Sequence, residues 1–241
     1  MIKKNILILG GCGLLGYELY KKFQLSSHTV LVADLKKSKN IENYYKVDAS
    51  NELDVVNLIK KIVKKHKTID VVINAVYPKV AKKKINFFNQ TKKNFLDKIN
   101  SHIGINFLVN KLFINYFIKK KAGNIIHISS IYGSFIPRFE IYRNTKLNMP
   151  LDYLISKSAM NYFTKYLSKL LLGSKIIINN ISPGGIYDFQ DKKFVNNYSK
   201  FTNHRSMLKP KDVFEVANFL VSTDNLKITG QNFIVDDGFT L

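Results

Sequence analysis

Residues 6–16 read Ile-Leu-Ile-Leu-Gly-Gly-Cys-Gly-Leu-Leu-Gly, and this stretch decides the fold. The apolar run 6–9 predicts a buried strand, the glycines predict a tight turn, and the residues beyond Gly16 have a helical pattern. Glycine lets the backbone take positive φ and approach a ligand closely, and a helix amino terminus offers free N–H groups to an anion. This order is typical of a dinucleotide site, with a merely structural turn as the alternative. The residues predicted to contact the dinucleotide here are Gly10, Gly11, Gly13, Leu14, Leu15 and Gly16.

Further along the chain, apolar runs alternate with longer helical patterns. Additional strands are predicted at 30–33, 71–74, 124–129, 176–181 and 233–235, and helices at 18–23, 53–63, 99–118 and 153–172. Such alternation predicts βαβ units and a parallel sheet covered on both faces. No linker, low-complexity tract or internal repeat interrupts the 241 residues. We therefore expect residues 1–241 to form a single α/β domain, a Rossmann-like doubly wound parallel sheet.

Composition and charge narrow the class of protein. The single cysteine, Cys12, excludes an internal disulfide, and the apolar run near the amino terminus lacks a signal-peptide cleavage pattern. Since no apolar stretch reaches the length of a membrane span, we expect a cytoplasmic protein without a membrane partner. The net charge is +21, but only three of the 38 basic residues are Arg, and the Lys residues are spread along the chain. This pattern favours a solvated surface over a specific nucleic-acid face.

The end of the second predicted strand bears on the choice of dinucleotide. Asp34 lies 18 residues after Gly16, where an acidic side chain would bond the ribose hydroxyls of NAD and repel the 2′-phosphate of NADP. Lys36 and Lys37 follow closely and would offset part of that repulsion. NAD is therefore the favoured cofactor, and NADP and a plain turn aspartate stay open as alternatives.

Two motifs in the second half of the chain carry chemistry. Tyr153 and Lys157 lie four residues apart in a helical pattern, so their side chains share a face. Upstream, a predicted strand ends in the hydroxyls of Ser129 and Ser130. Each motif alone is common on protein surfaces, but their order after the glycine turn resembles the short-chain dehydrogenase/reductase family. The resemblance covers nearly the whole chain and includes the segments 48–49, 70–75, 180–184, 229–231 and 235–238.

The resemblance implies a mechanism. Tyr153 would be the general acid or base that moves the hydroxyl proton, although a free tyrosine is only about 0.1% ionised at pH 7. Lys157 would lower the pKa of Tyr153 and bond the nicotinamide ribose, and Ser130, rather than Ser129, would hold the substrate oxygen. No metal is implied. The further cofactor contacts implied by the resemblance are Asp48, Ala49, Asn74, Lys157, Pro183, Gly184 and Ile186.

The chain departs from the family pattern at several positions. Leu9 stands where a Thr is usual, Ala75 replaces an Asn, and Asp188 replaces a Thr. The fourth catalytic residue is usually an Asn in the long helix, and its position here corresponds to His102. An imidazole can pass a proton near neutral pH, so His102 is predicted to join the catalytic set. The alternative is a helix histidine bonded to a neighbouring carbonyl.

The substrate prediction rests on four segments and one loop. The segments 74–78, 129–133, 139–142 and 235–239 resemble a bacterial branch of the family linked to flagellin modification and nonulosonate-type sugar biosynthesis. This implies a sugar phosphate or nucleotide sugar as substrate, in surface-glycan or flagellin-glycan biosynthesis.

The loop between Ser134 and Met149 is longer than in many family members and holds Arg138 and Arg143. Either guanidinium is suited to clamp an anionic group, with Tyr77 and Tyr187 lining the pocket. Chance placement, or ion pairs with Glu140 or Asp152, is the alternative.

The prediction from sequence is an NAD(P)-dependent oxidoreductase that transfers a hydride to or from a secondary alcohol or ketone. The intact Ser130, Tyr153 and Lys157 favour an enzyme over the alternative, a non-catalytic dinucleotide-binding sensor or assembly partner. The family resemblance also implies a homodimer or homotetramer that pairs the helices holding His102 and Tyr153.

Overall fold

Seven parallel strands form one sheet in the computed structural model, which describes residues 3–37, 41–78, 87–223 and 226–241. The strands are β1 (Asn5–Leu9), β2 (Thr29–Asp34), β3 (Tyr44–Lys46), β4 (Val71–Asn74), β5 (Gly123–Ile128), β6 (Ile176–Pro183) and β7 (Asn232–Val235). Their order across the sheet is β3-β2-β1-β4-β5-β6-β7. The predicted doubly wound parallel sheet is therefore confirmed.

Helices cover both faces of the sheet. They are α1 (Leu14–Gln24), α2 (Glu52–His66), α3 (Lys92–Lys120), α4 (Leu151–Leu170), α5 (Lys192–Ser199) and α6 (Phe214–Ser222). Side chains alternate along β1, so Leu7 and Leu9 pack into the core beneath α2, α3 and α4. Ile6 and Ile8 face the opposite core, which α1 and α6 cover. Within the described residues, no helix is long and apolar enough to cross a membrane.

The strand order reverses beside β1, and this reversal positions the functional site. From β1 the chain builds outward to β2 and β3 on one side and to β4, β5, β6 and β7 on the other. In open parallel sheets a crevice forms beyond the carboxyl ends of the strands at such a point. Leu9, Asn74 and Ile128 end three neighbouring strands there, so the loops that follow them surround one cleft.

Several element boundaries differ from the sequence prediction. Strand β3 was missed because it has three residues, lies at the sheet edge and buries neither face completely. Helix α3 begins at Lys92 rather than near residue 99, because Thr91 caps it by accepting a hydrogen bond from the Asn94 N–H. Strand β6 continues through Pro183, and α4 ends at Leu170.

Candidate active site

The glycine turn after β1 brings three backbone segments into close contact. Gly10 has φ of +74°, and a Cβ there would lie 2.7 Å from the carbonyl oxygen of Ala75. A Cβ on Gly16 would collide with the carbonyl oxygen of Gly10. Gly13 is the N-cap of α1, and no side chain caps the helix. The turn is therefore compact. Because no side chain caps α1, the backbone N–H groups at its start are available to bind a phosphate.

Asp34 ends β2 beside this turn. One of its carboxylate oxygens accepts a hydrogen bond from the Cys12 N–H at 2.9 Å. The Tyr44 hydroxyl donates to the Asp34 carbonyl oxygen, also at 2.9 Å. In the described part of the chain, no group donates to the second carboxylate oxygen of Asp34. The sequence prediction placed a ribose-binding carboxylate here, and the geometry leaves one oxygen available for that role.

Two adjoining cavities form one cleft along the carboxyl edge of the sheet. The first has a volume of about 280 Å³ and is lined by Asp34 and the turn after β1. The second has a volume of about 450 Å³ and contains Ser130, Tyr153 and Lys157. Gly13 and the residues 75–77 line both, so the two cavities meet at the glycine turn. We call them the nucleotide cavity and the reaction cavity.

Most of the predicted cofactor contacts line these cavities. Those in the nucleotide cavity are Gly10, Gly13, Asp34, Asp48 and Ala49. Those in the reaction cavity are Gly13, Leu14, Leu15, Gly16, Lys157, Pro183, Gly184 and Ile186. Gly11 and Asn74 line neither cavity. Gly11 packs so closely on Val32 that a Cβ would lie 2.6 Å from its Cγ1 atom, and Asn74 is buried behind the cleft.

Ser130 and Tyr153 both line the reaction cavity. Burial raises the pKa of Tyr153 to about 12, and the neighbouring Ser130 side chain acts in the opposite direction. The Ser130 Oγ also accepts the Tyr132 N–H at 3.2 Å. By contrast, the Ser129 hydroxyl donates to Asn161 Oδ1 at 2.7 Å, away from Tyr153. The geometry therefore distinguishes two adjacent serines that the sequence could rank only by resemblance.

Lys157 lies one turn beyond Tyr153 on α4, and its ammonium lies 5.6 Å from the centre of the Tyr153 ring. The ammonium donates to the Ile128 carbonyl oxygen at 2.8 Å. Burial lowers the pKa of Lys157 to about 8. At pH 7 about nine-tenths of this group still carries its charge. A positive charge thus stands beside the Tyr153 ring and favours its ionised form.

His102 packs against the same tyrosine. The centre of its ring lies 6.3 Å from the Tyr153 ring and 5.3 Å from the Tyr77 ring, both edge-on. Burial, with the nearby charge of Lys157, lowers the pKa of His102 to about 4, so the imidazole is neutral at pH 7. Within the described residues, no carbonyl hydrogen-bonds its ring nitrogens. The alternative interpretation, a helix histidine bonded to a neighbouring carbonyl, therefore has no support among the described residues.

A hydrogen-bond network of buried polar side chains lies behind the cleft. Asn74 donates to Asn106 Oδ1 at 2.8 Å, and Asn106 donates to the His102 carbonyl oxygen, also at 2.8 Å. His127 lies between Asn74 and Asn110, with ring nitrogens 3.3 and 3.0 Å from them. Burial lowers the pKa of His127 to about 3, which keeps it neutral. This network connects the end of β4 to α3, so it fixes the position of His102 with respect to the turn after β4.

The two arginines of the long loop lie outside the reaction cavity. Arg138 donates to the Leu241 carbonyl oxygen at 3.0 Å, and its guanidinium lies 4.8 Å from the centre of the Phe201 ring. Arg143 is exposed just after a short 3-10 segment, Phe139–Tyr142. Neither arginine has an ion pair with Glu140 or Asp152 among the described residues. The geometry does not assemble the predicted arginine clamp, because Arg138 is drawn to the carboxy-terminal carbonyls and aromatic rings.

The two tyrosines predicted to line the substrate pocket lie in different cavities. Tyr77 lines the reaction cavity, whereas Tyr187 lines a neighbouring groove beside α5. Sequence reasoning also missed much of the cavity wall. The unpredicted lining residues include Tyr132, Tyr142, Met149, Gln190, Phe194, Tyr198 and Met207. Tyr132 precedes the long loop, Tyr142 lies within it and Met149 ends it, which was a usable signal, but the others reach the cavity through tertiary packing alone.

Comparisons with known proteins agree with this fold. The family profile that matches residues 23–240 is described as Enoyl-(Acyl carrier protein) reductase. Post-translational flagellin modification protein A of Campylobacter coli is 32% identical over 99% of this chain and 98% of its own length. A 3-oxoacyl-[acyl-carrier-protein] reductase of Thermotoga maritima is 24% identical over 99% of this chain and 98% of its own length.

Solved structures show the same architecture. A short-chain dehydrogenase of Leptospira borgpetersenii with bound NAD+ superimposes with a TM-score of 0.89 at 29% identity, covering 99% of this chain and 93% of that one. The aldohexose dehydrogenase of Thermoplasma acidophilum has a TM-score of 0.84 at 19% identity, covering 99% and 94%, and shows the shared fold alone.

The chain belongs to the short-chain dehydrogenase/reductase family and is an NAD(P)-dependent oxidoreductase. Within that family it is similar over its full length to a protein named for flagellin modification.

Proposed function

We propose that this enzyme transfers a hydride to or from a secondary alcohol or ketone on a sugar phosphate or nucleotide sugar used in surface-glycan or flagellin-glycan biosynthesis. The observation that carries the chemistry is that Ser130, Tyr153 and Lys157 line one cavity, which is continuous with the nucleotide cavity. The sugar class is supported by the name of the Campylobacter coli relative and by the cavity wall.

The cleft fits a nicotinamide dinucleotide. A Cβ would fill the glycine cradle at Gly10 and Gly16, and the free N–H groups at the start of α1 face the cleft where a pyrophosphate would lie. Asp34 would hold the adenosine ribose and favour NAD over NADP. Asp48 and Ala49 would border the adenine. When bound, the nicotinamide supplies the hydride acceptor or donor.

The proton is assigned to Tyr153. Its hydroxyl would give a proton to the substrate oxygen in reduction and take one in oxidation, while Ser130 holds that oxygen. With a pKa near 12, the phenol is fully protonated at neutral pH, as reduction requires. The ammonium of Lys157 would stabilise the phenolate that results. His102, neutral beside Tyr153, would relay the proton between Lys157 and solvent through a held water molecule.

The reaction cavity is suited to an uncharged, hydroxyl-bearing ring. Lys157 is the only ionised side chain among the described residues that line it. The hydroxyls of Tyr132 and Tyr142 lie 3.4 Å apart on one side, and Tyr77 and Gln190 add further polar groups. Aromatic rings with hydroxyls offer both an apolar face and hydrogen bonds, the combination that a sugar ring presents to a protein. Any anionic group on the substrate would then lie outside this cavity.

We also propose that the enzyme acts in the cytoplasm as a homodimer or homotetramer. Exposed aromatic side chains line a cavity of about 440 Å³ along α3 and α4, among them Phe107, Tyr162 and Tyr166. Apolar surface of this kind is characteristic of subunit interfaces. Both helices also carry catalytic side chains, so pairing them would brace the site.

Activity against a chosen panel tests the proposed substrate class. The enzyme with NAD+ would be offered neutral sugars, sugar phosphates and nucleotide sugars, and in the reverse direction an acyl thioester ketone with NADH. Formation or loss of reduced nicotinamide is the readout. We expect turnover of a phosphorylated or nucleotide-linked sugar. Turnover of the acyl thioester alone, or of neutral sugars equally well, would contradict the proposal.

A further inference from the structure

A basic groove lies beside the reaction cavity. It has a volume of about 440 Å³ and is lined by residues of α5 and of the chain that follows it. Three of the described lining residues are cations, Lys200, Arg205 and Lys209, and none is acidic. We call this site the α5 groove.

The cations of the α5 groove are unpaired. In the described part of the chain, none of the three forms an ion pair with a carboxylate. Arg205 donates to the Lys200 carbonyl oxygen at 3.1 Å, which holds its guanidinium at the groove and leaves other N–H donors free. Within the same described residues, the side chains of Asn196 and Ser206 have no hydrogen-bond partner. Concentrated positive charge with unused donors is the chemistry that binds phosphate groups.

The groove is adjacent to the reaction cavity. Met207 lines both, and α5 forms a shared wall. Phe194 and Tyr198 of α5 face the reaction cavity, while Val195 and Ser199, each one residue later, face the groove. A ligand that passes Met207 would therefore place one part beside Tyr153 and another among the cations.

An aromatic surface borders the cations. Tyr187 lines the groove and is 42% exposed, and its ring lies 5.5 Å from that of Phe189, which is 87% exposed. Exposed tyrosine and phenylalanine rings provide flat faces on which a nucleobase stacks. Cations and a stacking platform together match a nucleotide better than a simple phosphate.

We propose that the α5 groove binds the nucleoside diphosphate portion of the substrate, while the sugar ring occupies the reaction cavity. This inference rests on the proposed function and narrows it to nucleotide sugars. It also moves the anion-binding role from Arg138 and Arg143 to Arg205, Lys200 and Lys209.

Binding of uridine 5′-diphosphate tests the groove without any turnover. The protein is first saturated with NAD+, so that the dinucleotide site is filled, and the diphosphate is then titrated by calorimetry. We expect one site per chain. Arg205→Gln, and separately the double variant Lys200→Gln with Lys209→Gln, should each weaken binding about tenfold or more. The matched control is Lys192→Gln with Lys193→Gln, which removes two charges from α5 outside the groove and should change affinity little.

Two further arms separate the outcomes. Tyr187→Ala should weaken the binding of uridine diphosphate but not that of inorganic pyrophosphate, because only the nucleoside stacks on the Tyr187 ring. Equal weakening in the control variant, equal affinity in all variants, or no binding would overturn the proposal. If pyrophosphate binds as tightly as uridine diphosphate and Tyr187→Ala has no effect, the proposal that the groove recognises the nucleoside is overturned. Because these arms measure binding, their failure is distinct from a failure of hydride transfer, which Tyr153→Phe addresses.

Discussion

The two halves of the cleft are built in different ways. The nucleotide cavity comes mainly from the segments that follow three neighbouring strands: the turn after β1, the end of β2 at Asp34 and the loop after β4. The wall of the reaction cavity comes from distant pieces, including Tyr142, Phe194 and Met207. In the first half, backbone conformation and close approach of glycines do most of the shaping. In the second half, the shape depends on which side chains tertiary packing turns inward, so its specificity can change while the cofactor half stays the same.

The sharpest test of this division lies in the reaction cavity. Tyr153→Phe removes the proton-moving hydroxyl and leaves the ring, α4 and the nucleotide cavity in place. We expect kcat to fall at least about 10²-fold while NAD affinity stays within about twofold. Tyr45→Phe changes a tyrosine on β3 that lines neither cavity, so it is the matched control and should keep normal turnover. Near-normal kcat in a folded Tyr153→Phe enzyme would remove the assigned role.

The glycine turn offers a second test, confined to the cofactor half. Gly10→Ala introduces a Cβ at positive φ that meets the backbone of Ala75 and Val76. We expect NAD to bind at least about tenfold more weakly, since the strain moves the turn that surrounds the pyrophosphate. Gly173→Ala also has positive φ, +82°, but its Cβ meets nothing within 4 Å, so it controls for backbone strain alone. Equal losses in both variants would contradict the close-approach account.

Asp34 tests cofactor choice. Asp34→Asn keeps the side-chain size and an acceptor for the Cys12 N–H, but it removes the charge that repels a 2′-phosphate. The preference for NAD over NADP should shrink about tenfold, or about 1.4 kcal/mol, measured as the ratio of dissociation constants. If the wild-type enzyme already binds NADP as tightly as NAD, the attraction of Lys36 for the 2′-phosphate outweighs its repulsion by Asp34.

The smallest expected effect is at Arg138. Its guanidinium joins the long loop to the carboxy-terminal segment at Leu241 and to the Phe201 ring after α5. Arg138→Lys should therefore lower the free energy of unfolding by about 1 kcal/mol, because lysine loses the planar stacking contact, and should leave KM unchanged. Arg143→Lys, in the same loop, should alter neither. A large rise in KM with unchanged stability would restore the arginine clamp that the sequence suggested.

The difference between the halves also explains what could be predicted from the sequence. The turn at Gly10, the carboxylate of Asp34 and the Tyr153–Lys157 pair depend on contacts a few residues apart or on regular strand spacing, so their positions follow from local pattern. The direction of Arg138 depends on where Leu241 lies in the fold, and the choice of Ser130 over Ser129 depends on Asn161. Such long-range packing leaves no local pattern, and the α5 groove was missed for the same reason.

Transfer of a label from the cofactor to the substrate tests hydride transfer in the reaction cavity directly. The ketone product of the sugar derivative that the enzyme oxidises would be reduced with NADH that carries deuterium at both positions of the reactive nicotinamide carbon. The account predicts one deuterium on the carbon that bears the new hydroxyl, and almost none when Tyr153→Phe replaces the wild type over the same time. Deuterium released to water, or a product that carries no label, would contradict hydride transfer in this cavity.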